Sequence, residues 1–240
     1  MHGIYLINKP KGITSHDVVN YLRKITGEKT IGHAGTLDPL ASGLMIVAIG
    51  REFTKKISKY SKLDKEYTAE ATLGATSTTY DAEGIIRHPE LVSGSPAQIP
   101  DHVRNDEIIK HSQEEVDRVL QGFVGSHDQM PPIFSAKKIG GQKAYDLARQ
   151  GKAVDLKAVP VTITEIKLLD YRYPLIKFSA QVSSGTYIRS LVHDIGQKLG
   201  TGAYMSGLVR NSIGEYQLDQ ATDLYQIKSV TDLHPLNSFE

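Results

Sequence analysis

Ile31-Gly-His33-Ala-Gly-Thr-Leu-Asp38-Pro-Leu-Ala-Ser-Gly43 runs directly into Leu44-Met-Ile-Val-Ala-Ile49, so a carboxylate sits on a loop of small residues that feeds an apolar strand. Glycines at that density permit positive φ and let another molecule approach the backbone closely. Pro39 pushes Asp38 toward extended backbone and removes one donor from the loop. Two readings of Asp38 stand side by side. It is a turn or capping residue, since Asp-Pro is a common turn pair, or it is the carboxylate of an active site.

Outward from that loop the chain carries meandering strand signals and a few helix signals, without repeats or heptads. Residues 3–8 read as a strand closed by the turn Lys9-Pro-Lys-Gly12. Ser15 is the predicted cap of a helix to about Thr26, with Val18, Val19 and Leu22 on one face and Gly27 as its stop. A short basic helix is expected from about Thr54, a strand over 66–73 and a turn at Asp81-Ala-Glu-Gly84. Ser112-Gln-Glu-Glu115 is a capping box that opens a helix through Leu120. Gly140-Gly141 marks a hairpin turn, residues 159–169 and 175–182 read as paired strands, and 188–199 as a helix ended by Gly200. Residues 205–216 return to extended structure. Meandering strands with few helices argue for α+β: a mixed, mostly antiparallel sheet flanked by helices in one domain spanning 1–240.

The chain has 240 residues, ample for a sizeable core, and no cysteine. Disulfides, thiolate catalysis and cysteine zinc sites are therefore excluded. The N-terminal apolar run, Ile4-Tyr-Leu-Ile7, is too short for a signal peptide or a membrane span, and a cytoplasmic protein is expected. Net charge is only +1, yet it is unevenly spread. Residues 51–65 hold six cations against two acids, as do residues 137–157, whereas 81–117 hold nine acids against three cations. A basic face for a polyanion explains the two basic runs, and so do solvated helix faces. Residues 88–111 combine Pro, Ser, Gly and acids and read as an acidic surface insertion.

No Walker loop, Rossmann fingerprint or histidine pair at metal spacing is present. Three segments offer partners for a loop carboxylate. Tyr67 opens a strand and either packs across it or presents a ring and hydroxyl to a pocket. Arg189 falls in the first turn of a helix, where a cation opposes the helix dipole and needs an acid partner; Asp38 is a candidate. The protruding segment from Met130 to Gly151 carries Lys137, Tyr145 and Arg149 among glycines, a composition suited to gripping a phosphate backbone. It is drawn as a basic, thumb-like segment at about 125–152.

Taken together, Asn8-Lys-Pro-Lys-Gly-Ile-Thr-Ser15, Gly32-His-Ala-Gly-Thr-Leu-Asp-Pro-Leu-Ala-Ser-Gly43, Lys65-Glu-Tyr67, Pro131-Pro with Ser135-Ala-Lys137, Tyr145, Ala148-Arg149-Gln-Gly151 and Ser184-Gly-Thr-Tyr-Ile-Arg189 resemble the ordered motifs of the TruB-type tRNA pseudouridine synthases. The match is collinear from about residue 3 to residue 216. The resemblance implies a pseudouridine synthase catalytic fold with an RNA-binding cleft across its middle. It makes Asp38 the nucleophile toward a T-loop uridine, position 55 in tRNA numbering, and Arg189 its electrostatic partner. It makes Tyr67 the residue that stacks on the target base and helps in proton removal. Leu208 would line the pocket, His33 would stack within the remodelled T-loop, Lys55 would touch the RNA backbone, and Asp81 would be a polar contact near flipped bases. The implied partner is tRNA, through its T-arm, bound by a monomer with no obligate protein partner, no metal and no cofactor.

The sequence departs from the family in two places. After Tyr216 there is room for about one helix, so a complete C-terminal PUA domain is not expected, and the acidic insertion has no assigned role. Rival readings are a non-catalytic RNA-binding or tRNA-folding protein, an aspartyl-nucleophile hydrolase of small molecules, and the same isomerisation on another RNA.

Overall fold

A computed structural model describes residues 2–88, 111–134, 138–139, 142–143 and 156–236. In chain order the first half comprises β1 (Gly3–Lys9), α1 (Ser15–Thr26), β2 (Ile31–Ala34), β3 (Ala41–Ile49), the single turns α2 (Arg51–Thr54) and α3 (Ser58–Ser61), and β4 (Lys65–Leu73). There follow β5 (Thr76–Ser77), β6 (Ile86–Arg87), α4 (Gln113–Gln121), β7 (Gly125–Gln129), and the hairpin β8 (Lys138–Ile139) and β9 (Gln142–Lys143). The last part holds β10 (Val159–Arg172), β11 (Leu175–Val182), α5 (Ile188–Lys198), β12 (Ala203–Ile213), β13 (Tyr216–Gln217) and β14 (Thr222–Asp223).

Ten of these strands form one sheet in the order β14-β1-β3-β12-β4-β11-β10-β7, with β2 on β3 and β13 on β12. Only β1–β14 and β3–β12 are parallel pairs. The sheet is mixed and mostly antiparallel, as the α+β reading expects. β3 explains its own apolar run: Met45, Val47 and Ile49 enter the larger core, while Leu44, Ile46 and Ala48 enter a second one behind the sheet. α1 lays Val18, Val19 and Leu22 on the larger core, α4 adds Val116 and Leu120, and α5 adds Leu191, Val192 and Ile195. β4 buries alternate residues, Lys65 through Leu73, so its period-2 pattern was readable. β8 and β9 pair antiparallel, with Lys138 opposite Lys143, while the Gly140-Gly141 turn expected between them lies outside the described residues.

The structure differs from the sequence reading in four places. Residues 31–34, read as the start of a glycine-rich loop, form β2 against β3, so His33 lies on a strand. The cap of α1 is Thr14, not Ser15: its hydroxyl accepts from Asp17 N at 3.1 Å, and the Asp17 carboxylate accepts from Thr14 N at 2.8 Å. The basic helix near Thr54 is two separate turns, because only four residues propagate in each. Beyond Tyr216 the expected helix is instead three 3-10 turns, Leu218–Gln220, Leu224–Gln226 and Val230–Asp232, with β14 pairing beside β1. Residues 89–110 of the acidic insertion lie outside the described residues.

Displaced from the cap, Ser15 is buried and joins α1 to the Asp38 loop. Its Oγ donates to Leu37 O at 3.0 Å and accepts from Leu37 N at 2.8 Å. Removing it leaves both main-chain groups of Leu37 unpaired in the core. Ser15→Ala is therefore expected to cost about 1–3 kcal/mol in urea unfolding, while Thr14→Ala costs about 1 kcal/mol. A Ser15→Ala loss below that of Thr14→Ala would contradict this assignment.

Candidate active site

The loop between β2 and β3 is held from several sides before it presents Asp38. Gly12 N donates to Pro39 O at 2.8 Å, and Ala41 N donates to Asp38 O at 3.0 Å. Arg210, fully buried on β12, spans the loop's two ends: Nη2 donates to Gly35 O at 3.1 Å and Nε to Leu44 O at 2.7 Å. Gly43 has φ +109°, and a Cβ built there would lie 2.4 Å from Arg210 O, so only glycine lets β3 approach β12 at that point. Lys9 is also buried. Its Nζ donates to Pro10 O and Ile13 O at 3.0 and 2.6 Å, and burial pushes its pKa down to about 8 against the opposing pull of Asp38.

Arg189 arrives from the first turn of α5 with only 8% of its side chain exposed. Nε pairs with Asp38 Oδ2 at 3.0 Å and Nη1 with Asp81 Oδ2 at 3.3 Å. Nη1 also donates to Thr79 O at 3.1 Å, and Nη2 donates to Phe134 O at 3.0 Å. The dipole argument for an acid partner thus holds, and two acids answer it. Asp81 is fixed in turn, its Oδ1 accepting from Thr79 Oγ1 and from Glu83 N. The N-cap residue of α5, Tyr187, has no side-chain cap of its own. The buried Gln129 replaces it: Tyr187 N donates to Gln129 Oε1 at 2.8 Å, and Gln129 Nε2 donates to Tyr187 O at 3.0 Å. Ser190 Oγ donates to Met130 O at 2.8 Å, so residues 129–134 are fastened along the start of the helix that carries Arg189.

Asp38 keeps 38% of its side chain exposed. Burial by the surrounding protein nonetheless raises its pKa; Arg189 and, more weakly, Lys9 pull it down, and Asp81 pushes it up. The site therefore holds the carboxylate above the ordinary aspartate value, with the guanidinium offsetting part of the desolvation rather than all of it. Charge density on a desolvated oxygen beside a fixed cation is what a nucleophilic carboxylate needs.

Of the remaining predicted site residues, Tyr67 is buried and Leu208 half-buried. Both pack in the apolar cluster that contains Leu37 and Leu40, the residues flanking the Asp38-Pro39 pair. Leu40 and Leu208 also line a depression of about 140 Å³ with Lys11, Ser42, Thr68 and Glu70. His33 is half-buried, its Nδ1 has no hydrogen-bond partner, and burial together with Arg210 lowers its pKa. Lys55 stands exposed beyond α2 and makes no ion pair with the Asp38 cluster. Lys137, Tyr145 and Arg149 lie outside the described residues. Among the described residues no group of three His, Asp or Glu side chains could hold a metal ion, and no helix is long and apolar enough to cross a membrane. Sequence reading missed Lys9, Gln129 and Arg210, as well as the carbonyls of Thr79 and Phe134. Gln129 and Arg210 carried no local signal, while Lys9 stood within a quoted motif and went unassigned.

The site is thus a loop carboxylate clamped by a helix-borne arginine beside a mixed sheet. Solved structures with similar backbones come from RNA-bound and Cbf5-containing complexes. The chain superposes with a TM-score of 0.64 at 26% identity on a chain of an H/ACA ribonucleoprotein bound to a substrate RNA containing 2'-deoxyuridine. It superposes at 0.63 and 27% on a chain of a Cbf5-Nop10-Gar1 complex. Those alignments cover 94% of this chain and 52% and 53% of the solved chains, so it spans about half their length. Residues 23–188 match the model of the TruB family pseudouridylate synthase N-terminal domain, and residues 189–236 that of the tRNA pseudouridylate synthase B C-terminal domain. Relatives named tRNA pseudouridine synthase B include those of Protochlamydia amoebophila, 42% identical over 97% of this chain and 82% of the relative, and Fusobacterium nucleatum, 44% identical over 91% and 70%. The chain belongs to the TruB family of pseudouridylate synthases.

The raised pKa of Asp38 sets a sign. An acid whose folded value lies above its unfolded one is less favourable when ionised, so its charge costs stability above that window and costs nothing below it. Asp38→Asn is expected to raise the thermal midpoint at pH 7, and the gain should shrink as pH falls through the usual aspartate range. Differential scanning calorimetry from pH 7 to pH 4 checks this; a lower midpoint at pH 7 would reverse it.

Proposed function

We propose that the protein isomerises the T-loop uridine of tRNA, position 55, to pseudouridine, with Asp38 as nucleophile. The observation that carries this reading is the Asp38–Arg189 pair at 3.0 Å, braced by Asp81, on the motifs that define the family. The relatives named tRNA pseudouridine synthase B support an isomerase acting on tRNA. The ribonucleoprotein resemblance is weaker in identity, which favours tRNA over the substrate RNA of that complex.

The reaction is redox-neutral. Asp38 forms a transient bond to the nucleotide, the N1–C1′ bond breaks, the uracil turns, and a C5–C1′ bond forms. The proton on C5 leaves and N1 gains one, so atoms and electrons balance without an external reagent. Arg189 keeps the carboxylate ionised and aimed. The uridine must first leave its stack, which costs a few kcal/mol. Tyr67, in the apolar cluster that also holds Leu37 and Leu208, is assigned the stacking contact that offsets part of that cost, worth about 1–3 kcal/mol per base. It is further assigned to help remove the C5 proton. His33, whose Nδ1 is unpaired, is assigned to the remodelled loop, and Asp81 to the flipped bases as well as to Arg189. Lys55 and the thumb residues Lys137, Tyr145 and Arg149 are assigned to the backbone phosphates from the charge of their segments. The reading carries a monomer in the cytoplasm, where tRNA is matured.

Incubating the protein with an unmodified tRNA transcript, and mapping pseudouridine chemically, tests this. Product is expected at the T-loop uridine. Asp38→Asn should lower the rate by at least about 10³-fold while tRNA affinity stays within about threefold. Tight binding without product from the native protein would favour an RNA-folding role, and product at another uridine would move the substrate.

A further inference from the structure

Tyr80 is the one non-glycine residue at positive φ, 64°, among the described residues. A bulky side chain rarely takes this backbone state, and the state persists only where the surroundings over-determine it. Its two neighbours both hold the guanidinium of Arg189: Thr79 through its carbonyl and Asp81 through its carboxylate. The Tyr80 ring stacks on His193, with centroids 4.0 Å apart and planes 15° from parallel. His193 lies four residues after Arg189 on α5, hence one turn along the same helix face. The main chain of the turn is bonded to β12, Met205 N donating to Tyr80 O and Ala82 N to Met205 O, both at 2.9 Å. The β12 bonds fix the turn to the sheet, and the stack ties Tyr80 to the helix.

We propose that the Tyr80–His193 stack is a positioning device for uridine isomerisation: it keys the Thr79–Asp81 turn to α5, so that Thr79 O and Asp81 hold Arg189 against Asp38. A left-handed Tyr80 turns the peptide group on its N-terminal side toward the guanidinium and the next side chain toward the same point. Were the ring free and the residue to relax to negative φ, the Thr79 carbonyl and the Asp81 carboxylate would no longer converge. Asp194 is the ionisable neighbour of both stacked residues and itself lies near His127. This inference rests on the catalytic reading of Asp38 and Arg189.

Tyr80→Gly separates positioning from packing, because glycine adopts the same φ without strain while the ring is lost. Its thermal midpoint should stay within a few degrees of the parent. Its single-turnover rate on saturating tRNA should fall by about 10-fold or more, the order expected when catalytic groups shift by a fraction of an ångström. The dissociation constant for tRNA should change by less than about threefold. Tyr80→Phe and His193→Phe keep two stacked rings and should recover the rate to within about threefold of the parent. His193→Ala removes the other ring and serves if Tyr80→Gly does not fold; it should slow the reaction to the same extent. A full rate in Tyr80→Gly or His193→Ala overturns the proposal, and so does a loss that merely follows the unfolded fraction. A parent protein that makes no pseudouridine sinks the catalytic reading and this one with it, whereas an active parent with equally active stack variants sinks this one alone.

Discussion

A guanidinium sealed at the wrong end of a helix governs this molecule. The first turn of α5 exposes unpaired N–H groups and favours anions, so Arg189 is unfavourable there until other parts of the chain answer its charge. They come from three separate regions: Asp38 from the β2–β3 loop, Thr79 and Asp81 from the turn after β5, and Phe134 from the segment beyond β7. A buried ion pair is at best near break-even for stability, because desolvating both charges consumes most of the attraction. An arrangement with two carboxylates around one cation, one of them partly open to solvent and held above its ordinary pKa, is consequently better explained by chemistry than by folding.

The other three buried cations among the described residues are satisfied differently. Lys9 is capped by the carbonyls of Pro10 and Ile13, Lys65 by those of Ser61 and Leu63, and Arg210 by those of Gly35 and Leu44. Carbonyls supply hydrogen bonds without cancelling a whole charge. Positive potential therefore remains around the Asp38 loop, which suits both an ionised carboxylate and an incoming phosphate chain. Burial pulls the pKa values of Lys9 and Lys65 to about 8, the expected consequence of incomplete compensation.

Much of the fold was legible because its signals are local. The alternation of β4, the capping box at Ser112 and Glu115 and the stop at Gly27 each depend on a few adjacent residues. What escaped depends on distant partners. β2 has four residues and two glycine-like small positions, and becomes a strand only because β3 offers a free edge. Ser15 looks like a cap until Leu37 is seen to claim its hydroxyl. In the site, Arg189 could be tied to an acid by dipole reasoning and to Asp38 by resemblance, yet Asp81 as its second acid contact and Gln129 as the cap of α5 emerged only in three dimensions.

The place of β12 in the sheet has a consequence for how the protein is made. Ala203–Ile213 lies between β3 and β4 and is the partner of both, although it follows β4 by more than a hundred residues. As the chain leaves the ribosome, β1, β2 and β3 can pair early, leaving Ala41–Gly43 of β3 open on its second edge, but β4 has no partner until β11 emerges and keeps one open edge until β12 does. Open edges beside apolar strands invite pairing with other chains, and long-range closure is slow. The β1–β2–β3 half therefore waits through most of synthesis, the β4–β11–β10 half forms only once residues 159–182 are out, and β12 then joins the two and brings Arg210 to lock the Asp38 loop.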